Sequence, residues 1–401
     1  MTLTLLPIKG AVQHYAWGGY QYIPRLLGIK NESEQPYAEL WLGAHNSSPA
    51  LACRDKEFVA LDQLLLSNTE WLGEKILHQF GPILPYLLKI LDVREMLSIQ
   101  VHPNKEQAEL GFLTENQQNI PLDAKHRNFK DNNHKPELMV ALSDFWLLHG
   151  FKTEVAIDRI LETVPEFQRL KPFFAEKSIY ELYKHIMEMP YQVVESMLGT
   201  LNKRLLSEAP HDKESEDYWA LRAFEMMGEG TVMDRGIFSI YLFNLLHLHP
   251  GEAIFQGAGV PHAYLEGINV ELMANSDNVF RGGLTVKHVD VSNLLKHLIF
   301  EPIIPQIIRE EKISEQESIY PTAAPDFQLN KIQLRAGETY KAQSTEAPEI
   351  FLVIEGAITA NNGLSFHQGE SFFLPVHQTY SLYSEAGCVV FKATLPDEGP
   401  K

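Results

Sequence analysis

The chain has 401 residues, 45% hydrophobic and 21% charged, enough for two or three folded domains and unlike a disordered or fibrous protein. Its 34 basic and 52 acidic residues give a net charge of −18, so neither nucleic acid nor an anionic membrane is an expected partner. Two distant cysteines, Cys53 and Cys388, exclude a disulfide framework, and no stretch nears the ~20 apolar residues of a membrane span.

The opening segment, MTLTLLPIKG, has no basic run ahead of its short apolar stretch, which argues against a signal peptide and for a cytoplasmic protein. Short apolar runs broken by Gly, Pro and Asn then dominate residues 1–150, 236–300 and 325–401. In chain order they include LPYLLKIL (84–91), EMLSIQVHP (95–103), ELMVALSDFWLLHG (137–150), SIYLFNLLHLHPGE (239–252), IFLVIEGAITANNG (350–363) and SFFLPV (371–376). Their length and their β-branched and aromatic content predict strands of a sandwich or barrel. After Pro103, Asn104 predicts the cap of a short helix through Glu106, Ala108 and Glu109.

Residues 153–230 read differently. Ile157, Ile160, Leu161 and Val164 are spaced i, i+3, i+4 and i+7, as are Ile179, Leu182, Tyr183 and Ile186, and again Val194, Met197, Leu198 and Leu201. That spacing predicts amphipathic helices, with one more at about 216–228 after a polar loop. The expected fold is therefore mainly β with an inserted α-helical domain. Residues 1–152 and 236–310 form one discontinuous barrel, 153–235 the insertion and 311–401 a second barrel. A short internal repeat, HPGEAIFQGAGVPHAY at 249–264 and HQGESFFLPVHQTY at 367–380, is typical of turns between jelly-roll strands and supports two jelly-roll barrels.

On a strand Ser98, Gln100 and His102 share one face, and Ile99 and Val101 the other. Such a polar row is either open to solvent or buried and satisfied by a metal or polar ligand. Glu137 stands at the mouth of the strand LMVAL behind Pro136, and His262 follows the Gly-rich turn at 256–259. Together Gln100, His102, Glu137 and His262 offer two imidazoles, a carboxylate and an amide oxygen, a set suited to Zn²⁺, with Fe²⁺, Mn²⁺ and Co²⁺ as competitors. One carboxylate leaves the ion net positive, as a Lewis acid needs. Further on, Gly282 and Gly283 permit a tight turn or close approach to a ligand, and Arg281 and Lys287 are candidates for phosphate or carboxylate contacts. His45, His78 and His126 have no visible company.

In this order the segments AELWLGAH (38–45), PYLLKIL (85–91), LSIQVHPNKEQA (97–108), DNNHKPEL (131–138), GVPHAYLEG (259–267) and ELMANSDNVFRGGLTVKHVDV (271–291) resemble those of the type I phosphomannose isomerases. The resemblance spans residues 1–300. It implies a cupin barrel holding one zinc per chain, interrupted by a helical domain and followed by a second cupin barrel. It also implies interconversion of mannose 6-phosphate and fructose 6-phosphate through an enediol, serving mannose breakdown or GDP-mannose synthesis, in a monomer or dimer. Gln100, His102, Glu137 and His262 are then the zinc ligands and Arg281 the catalytic arginine. Ser98, Lys89, Lys135 and Lys287 are placed in the substrate pocket, with Lys135 the candidate proton carrier and the other three expected on the phosphate.

Two departures fall on the loop after Arg281. Val286 stands where the family usually has Pro, and Gly282 where many relatives have Ala. Two other readings compete. An Fe²⁺ oxygenase on His102, His262 and Glu137 has no need of cations around its pocket, and a non-catalytic sugar-phosphate regulator gives no reason for four metal ligands.

Overall fold

The computed structural model describes residues 4–124, 126–228, 232–343 and 345–396. The end of the expected helical block, 229–230, lies outside the described residues. Strands prevail, and every strand pairing is antiparallel. They form two sheets.

The first sheet is organised by the strand His262–Ala274. Its early residues pair with Phe145–Phe151 and Ile99–Val101, and its later ones with Tyr86–Val93 and Glu137–Ala141. Gly267 stands at the changeover with φ +135°. A Cβ there would lie 2.5 Å from the Phe145 ring and 2.7 Å from the Asp144 carbonyl, so the bend requires glycine. Alternation then sorts the side chains. Leu88, Ile90, Leu138, Val140, Val270 and Leu272 face outward into a core shared with Ile350, Leu352, Phe373 and Phe391 of the second sheet. Leu87, Lys89, Leu91, Glu271 and Met273 face inward and line a cavity. With both faces buried, these strands read as continuous apolar runs.

Strand pairing crosses the expected domain boundaries. Leu6–Lys9 pairs with Ser371–Leu374 in the register Leu6↔Phe373, and Leu51–Arg54 and Glu57–Ala60 extend the same sheet. Parts of the stretch 1–152 thus belong to the sheet of the last ninety residues. The apolar run at 239–252 also differs from expectation. Gly236–Leu242 is a helix and only Phe243–Leu248 is a strand. All seven helix residues are buried, so the segment carries no amphipathic period that would mark it as helical. The helices Glu154–Thr163, Ile179–Glu188, Tyr191–Glu208 and Glu216–Met227 stand where the 3.6-residue spacing puts them. They share one core with Ile99, Val101, Leu148 and Ala263, backing the strands that carry the polar row. Asn104 caps Lys105–Gln117 in a reciprocal box with Gln107.

The internal repeat is a structural one at its turns. His249 N–H donates to Glu252 Oε2 at 3.0 Å, and His367 N–H to Glu370 Oε2 at 2.8 Å. In both copies the Gly-Glu pair leads directly into a strand, Ala253–Gln256 or Ser371–Leu374.

The second sheet encloses a buried ionic cluster. Lys392 Nζ lies 2.7 Å from Glu317 and 3.3 Å from Glu349, whose other oxygens accept from the Tyr340 and Tyr380 hydroxyls. Burial alone would push the ammonium down, but the two carboxylates hold it above the usual lysine range. Removing one partner of such a buried set strands the others. Lys392→Ala should therefore lower unfolding stability by roughly 3–5 kcal/mol, read from the midpoint of urea denaturation, and an unchanged midpoint would refute the dependence.

Candidate metal centre and substrate cavity

The polar row falls as its alternation dictates. Ile99 and Val101 are buried against the helices, whereas Ser98 and Gln100 line the cavity, whose volume is about 1070 Å³. His102, one residue past the strand, is fully buried. The register sets Gln100 opposite both His262 and Arg281 on its two neighbouring strands. Glu137 opens the strand Glu137–Ala141 and is buried.

These residues converge. His102 Nε2 lies 3.5 Å from Glu137 Oε1 and His262 Nε2 lies 3.3 Å from Oε2, and the three ligand atoms fall within 4.8 Å of one another. Those separations match the edge of about 3.3 Å expected of a tetrahedron with arms of ~2.0–2.1 Å. The second nitrogen of each ring is already committed. His102 Nδ1 faces the Asn278 carbonyl at 2.7 Å and His262 Nδ1 the Val260 carbonyl at 3.0 Å. A carbonyl only accepts, so each Nδ1 donates, and a neutral ring then turns its Nε2 lone pair toward the carboxylate. Both Nε2 atoms are buried without a hydrogen-bond partner. Burial pushes the His102 imidazole down to about 4, against the pull of Glu137, so this ring is neutral at pH 7. The His102 lone pair and the buried carboxylate repel unless a cation lies between them, and with the partnerless His262 Nε2 beside them the residues fit a metal.

The carbonyl that orients His102 is itself held. The Asn278 side chain accepts from Lys130 N–H and donates to the carbonyls of Asp131 and Asn133, while Ser276 Oγ donates to Asp131. This lattice ties the loop before Glu137 to the loop after the long strand. Lys135 Nζ reaches Glu137 Oε1 at 3.0 Å. Burial raises the Glu137 carboxyl, but the Lys135 charge and the contacts with His102 and His262 hold it well below the usual range.

Every residue expected in the pocket other than the enclosed His102 lines this one cavity: Ser98, Gln100, Lys89, Lys135, Glu137, His262, Arg281 and Lys287. Lys89 differs from a free cation. It sits 3.5 Å from Glu39 and 3.2 Å from Glu271, with Trp41 beneath its ammonium at 5.1 Å. Burial would push it down, but Glu39, Glu271 and Glu137 hold it above its ordinary range. Arg281, by contrast, has no carboxylate partner among the described residues. Burial depresses its guanidinium, and burial with the Arg281 charge depresses Lys287. Among the described residues neither cation has a carboxylate partner, which leaves their part of the cavity lining positive. The close approach permitted by Gly283 is to protein rather than ligand, since a Cβ there would lie 2.5 Å from the Gly236 Cα. Asp234 fixes that junction, accepting from Gly236 and Thr285 N–H. Gly282 meets Ile99 Cγ2 at 2.8 Å from where a Cβ would sit.

Several cavity residues escaped the sequence. Glu39, Trp41, Tyr264 and Glu271 surround Lys89, Tyr264 donating to Glu271 at 2.9 Å. His45 has company after all, with Asp277 at 3.4 Å and the Trp41 ring edge-on at 4.9 Å. The usable signal was alternation, which puts Glu39 and Trp41 on one face of a strand and Glu271 on the face of Met273.

A family model described as the catalytic domain of type I phosphomannose isomerase matches residues 5–154. The mannose-6-phosphate isomerase of Escherichia coli is 36% identical over 379 residues, covering 92% of this chain and 94% of that protein. The chain belongs to the type I phosphomannose isomerases. Human mannose-6-phosphate isomerase, 33% identical, covers 94% of this chain and 95% of its own length. Among solved phosphomannose isomerases, a structure from Salmonella typhimurium described as bound to fructose 6-phosphate and zinc is 32% identical, with a TM-score of 0.85 over 96% of this chain and 98% of its own. A zinc-bound mannose 6-phosphate isomerase superposes with a TM-score of 0.86 at 32% identity, over 96% of this chain and 98% of that one. Among the described residues no helix is long and apolar enough to cross a membrane.

Glu137→Ala and His262→Ala should each lower zinc affinity by at least roughly 10–100-fold. Metal analysis of the purified variants checks this, and full zinc content in either would remove that residue from the ligand set.

Proposed function

We propose that this chain is a zinc-dependent aldose–ketose isomerase that interconverts mannose 6-phosphate and fructose 6-phosphate through an enediol intermediate. The observation that carries the reading is the pairing of a preformed N/O metal site with two unpaired cations in one cavity. The Salmonella relative described with fructose 6-phosphate and zinc supports it. In the same reading the chain is cytoplasmic, a monomer or dimer, and serves mannose breakdown or GDP-mannose synthesis. Two cupin jelly-roll barrels carry it, the first broken by the helical residues 153–235.

Gln100, His102, Glu137 and His262 would hold the zinc. Bound there it supplies Lewis-acid stabilisation of charge developing on the substrate oxygens. The rest of the chemistry falls to the chain. Moving a carbonyl between C1 and C2 needs a proton lifted from carbon and an enediolate stabilised. Arg281, permanently charged, steadies the developing oxyanion or the chain that bears the phosphate. Lys287 and Ser98 anchor the phosphate with a point charge and a hydroxyl. Lys89, neutralised by Glu39 and Glu271, contributes a fixed N–H donor to the wall. Lys135, beside Glu137, carries the proton between carbons.

In a coupled assay for fructose 6-phosphate, Arg281→Ala should keep zinc and fold but lose about 10²–10³-fold in kcat. Lys287→Ala should raise KM with little change in kcat. An equal effect on KM alone from both substitutions would show that Arg281 only binds substrate, and absence of turnover by the zinc-loaded wild type would overturn the reaction.

A further inference from the structure

A second cluster of ligand-type side chains lies away from the cavity. The strand Phe243–Leu248 and the turn after it present His247 and His249, two residues apart and so on one side. Asp144 immediately precedes the neighbouring strand Phe145–Phe151, whose register sets Trp146 opposite His247. Asp144 Oδ1 lies 3.1 Å from His247 Nε2 and 3.2 Å from His249 Nδ1, and the three ligand atoms fall within 4.8 Å of one another. These spacings are slightly shorter than those of the buried centre, with both rings on one oxygen, and lie close to the about 3.3 Å edge of a tetrahedral ion's shell.

The cluster is held in place. Trp146 stacks on the His247 ring at 4.2 Å with the planes 7° apart. His249 is fixed by its turn, its N–H donating to Glu252 Oε2, while Glu252 Oε1 is taken by Arg309 at 2.8 Å. Glu252 is therefore spent on the turn and on Arg309, leaving Asp144 as the carboxylate for the two rings. Both rings set a nitrogen within hydrogen-bond distance of the same Asp144 oxygen, which brings three ligand-type atoms to one point.

We propose that Asp144, His247 and His249 form a second metal site, for an exchangeable divalent transition ion of the zinc class. An N₂O set of imidazoles and one carboxylate prefers Zn²⁺, Ni²⁺ or Cu²⁺ to Mg²⁺ or Ca²⁺. Three protein ligands leave at least one position to water, and the Asp144 and His249 side chains are 69% and 64% exposed. The ion accordingly binds more weakly than one at His102, Glu137 and His262 and exchanges freely. The expected single zinc per chain counts the tightly held ion, and this site adds a second, weaker equivalent. The sequence signal is the His-x-His of HLHPGE at 247–252, where a strand runs into a turn.

The test is equilibrium dialysis of chelator-treated full-length protein against zinc chloride, with free zinc stepped from nanomolar to high micromolar and bound metal counted. Wild type should take up one tight equivalent and then a second, weaker one. His249→Ala should weaken the second at least roughly tenfold and leave both the tight equivalent and isomerase turnover unchanged. Glu137→Ala should do the reverse, keeping the weaker equivalent and losing the tight one, so that failure of the catalytic centre and failure of this site are read separately. A single equivalent in wild type across the whole range overturns the proposal, as does a second equivalent that survives in the His247→Ala/His249→Ala double variant.

Discussion

A carboxylate with two imidazole lone pairs aimed at it, all three groups out of water, is the arrangement around which the first sheet is built. Left to itself the His102 contact is repulsive, since that neutral ring donates from Nδ1 to a backbone carbonyl and has no proton on Nε2, and the His262 Nδ1 is committed to a carbonyl in the same way. Everything nearby keeps those groups from relaxing. The Asn278 lattice holds the carbonyl behind His102, the bend at Gly267 lets one strand carry His262 and also flank Glu137, and the helices press on Ile99 and Val101. A cation held by these groups would turn the repulsion into binding energy. Charge accounts for the rest of the pocket. Lys89 and Lys135 are neutralised by Glu39, Glu271 and Glu137, whereas Arg281 and Lys287 have no carboxylate partner among the described residues.

Most of the centre was legible because strand periodicity and ligand chemistry act locally. Ser98, Gln100 and His102 declare a common face from their spacing alone, and Glu137 and His262 are recognisable as ligand types at strand mouths. What stayed hidden depends on partners far away in the chain. Nothing around Lys89 announces that Glu39 and Glu271 will flank it, because that requires knowing which strands are neighbours. The helix Gly236–Leu242 was invisible for a different reason. A fully buried helix shows the same unbroken apolar run as a fully buried strand. The sheet exchange involving Leu6–Lys9 was beyond reach altogether, since a four-residue strand carries no mark of its partner.

The two sheets repeat one electrostatic device. Lys89 between Glu39 and Glu271, with Tyr264 donating to one carboxylate, has a counterpart in Lys392 between Glu317 and Glu349, with Tyr340 and Tyr380 donating. Together with the matching His-x-Gly-Glu turns, this extends the likeness of the two halves from backbone to buried charge. Only the first half sets its cluster beside a metal-type ligand group among the described residues. The shared device is thus a way of keeping charge inside a sheet, and the chemistry is an addition to it.

The strands Leu6–Lys9, Leu51–Arg54 and Glu57–Ala60 complete a sheet whose other members begin after residue 310. During synthesis these early segments leave the ribosome long before Ser371–Leu374 exists to pair with them. They can pair with one another, but the edge of Leu6–Lys9 that takes Ser371–Leu374 has no partner until the first sheet and the helices have emerged. Contacts of such long sequence separation close slowly, and exposed strand edges are where nascent chains meet each other or a chaperone. The core between the sheets, in which Leu88 and Leu138 meet Ile350 and Phe373, therefore has no complete set of partners until the last strands have been made.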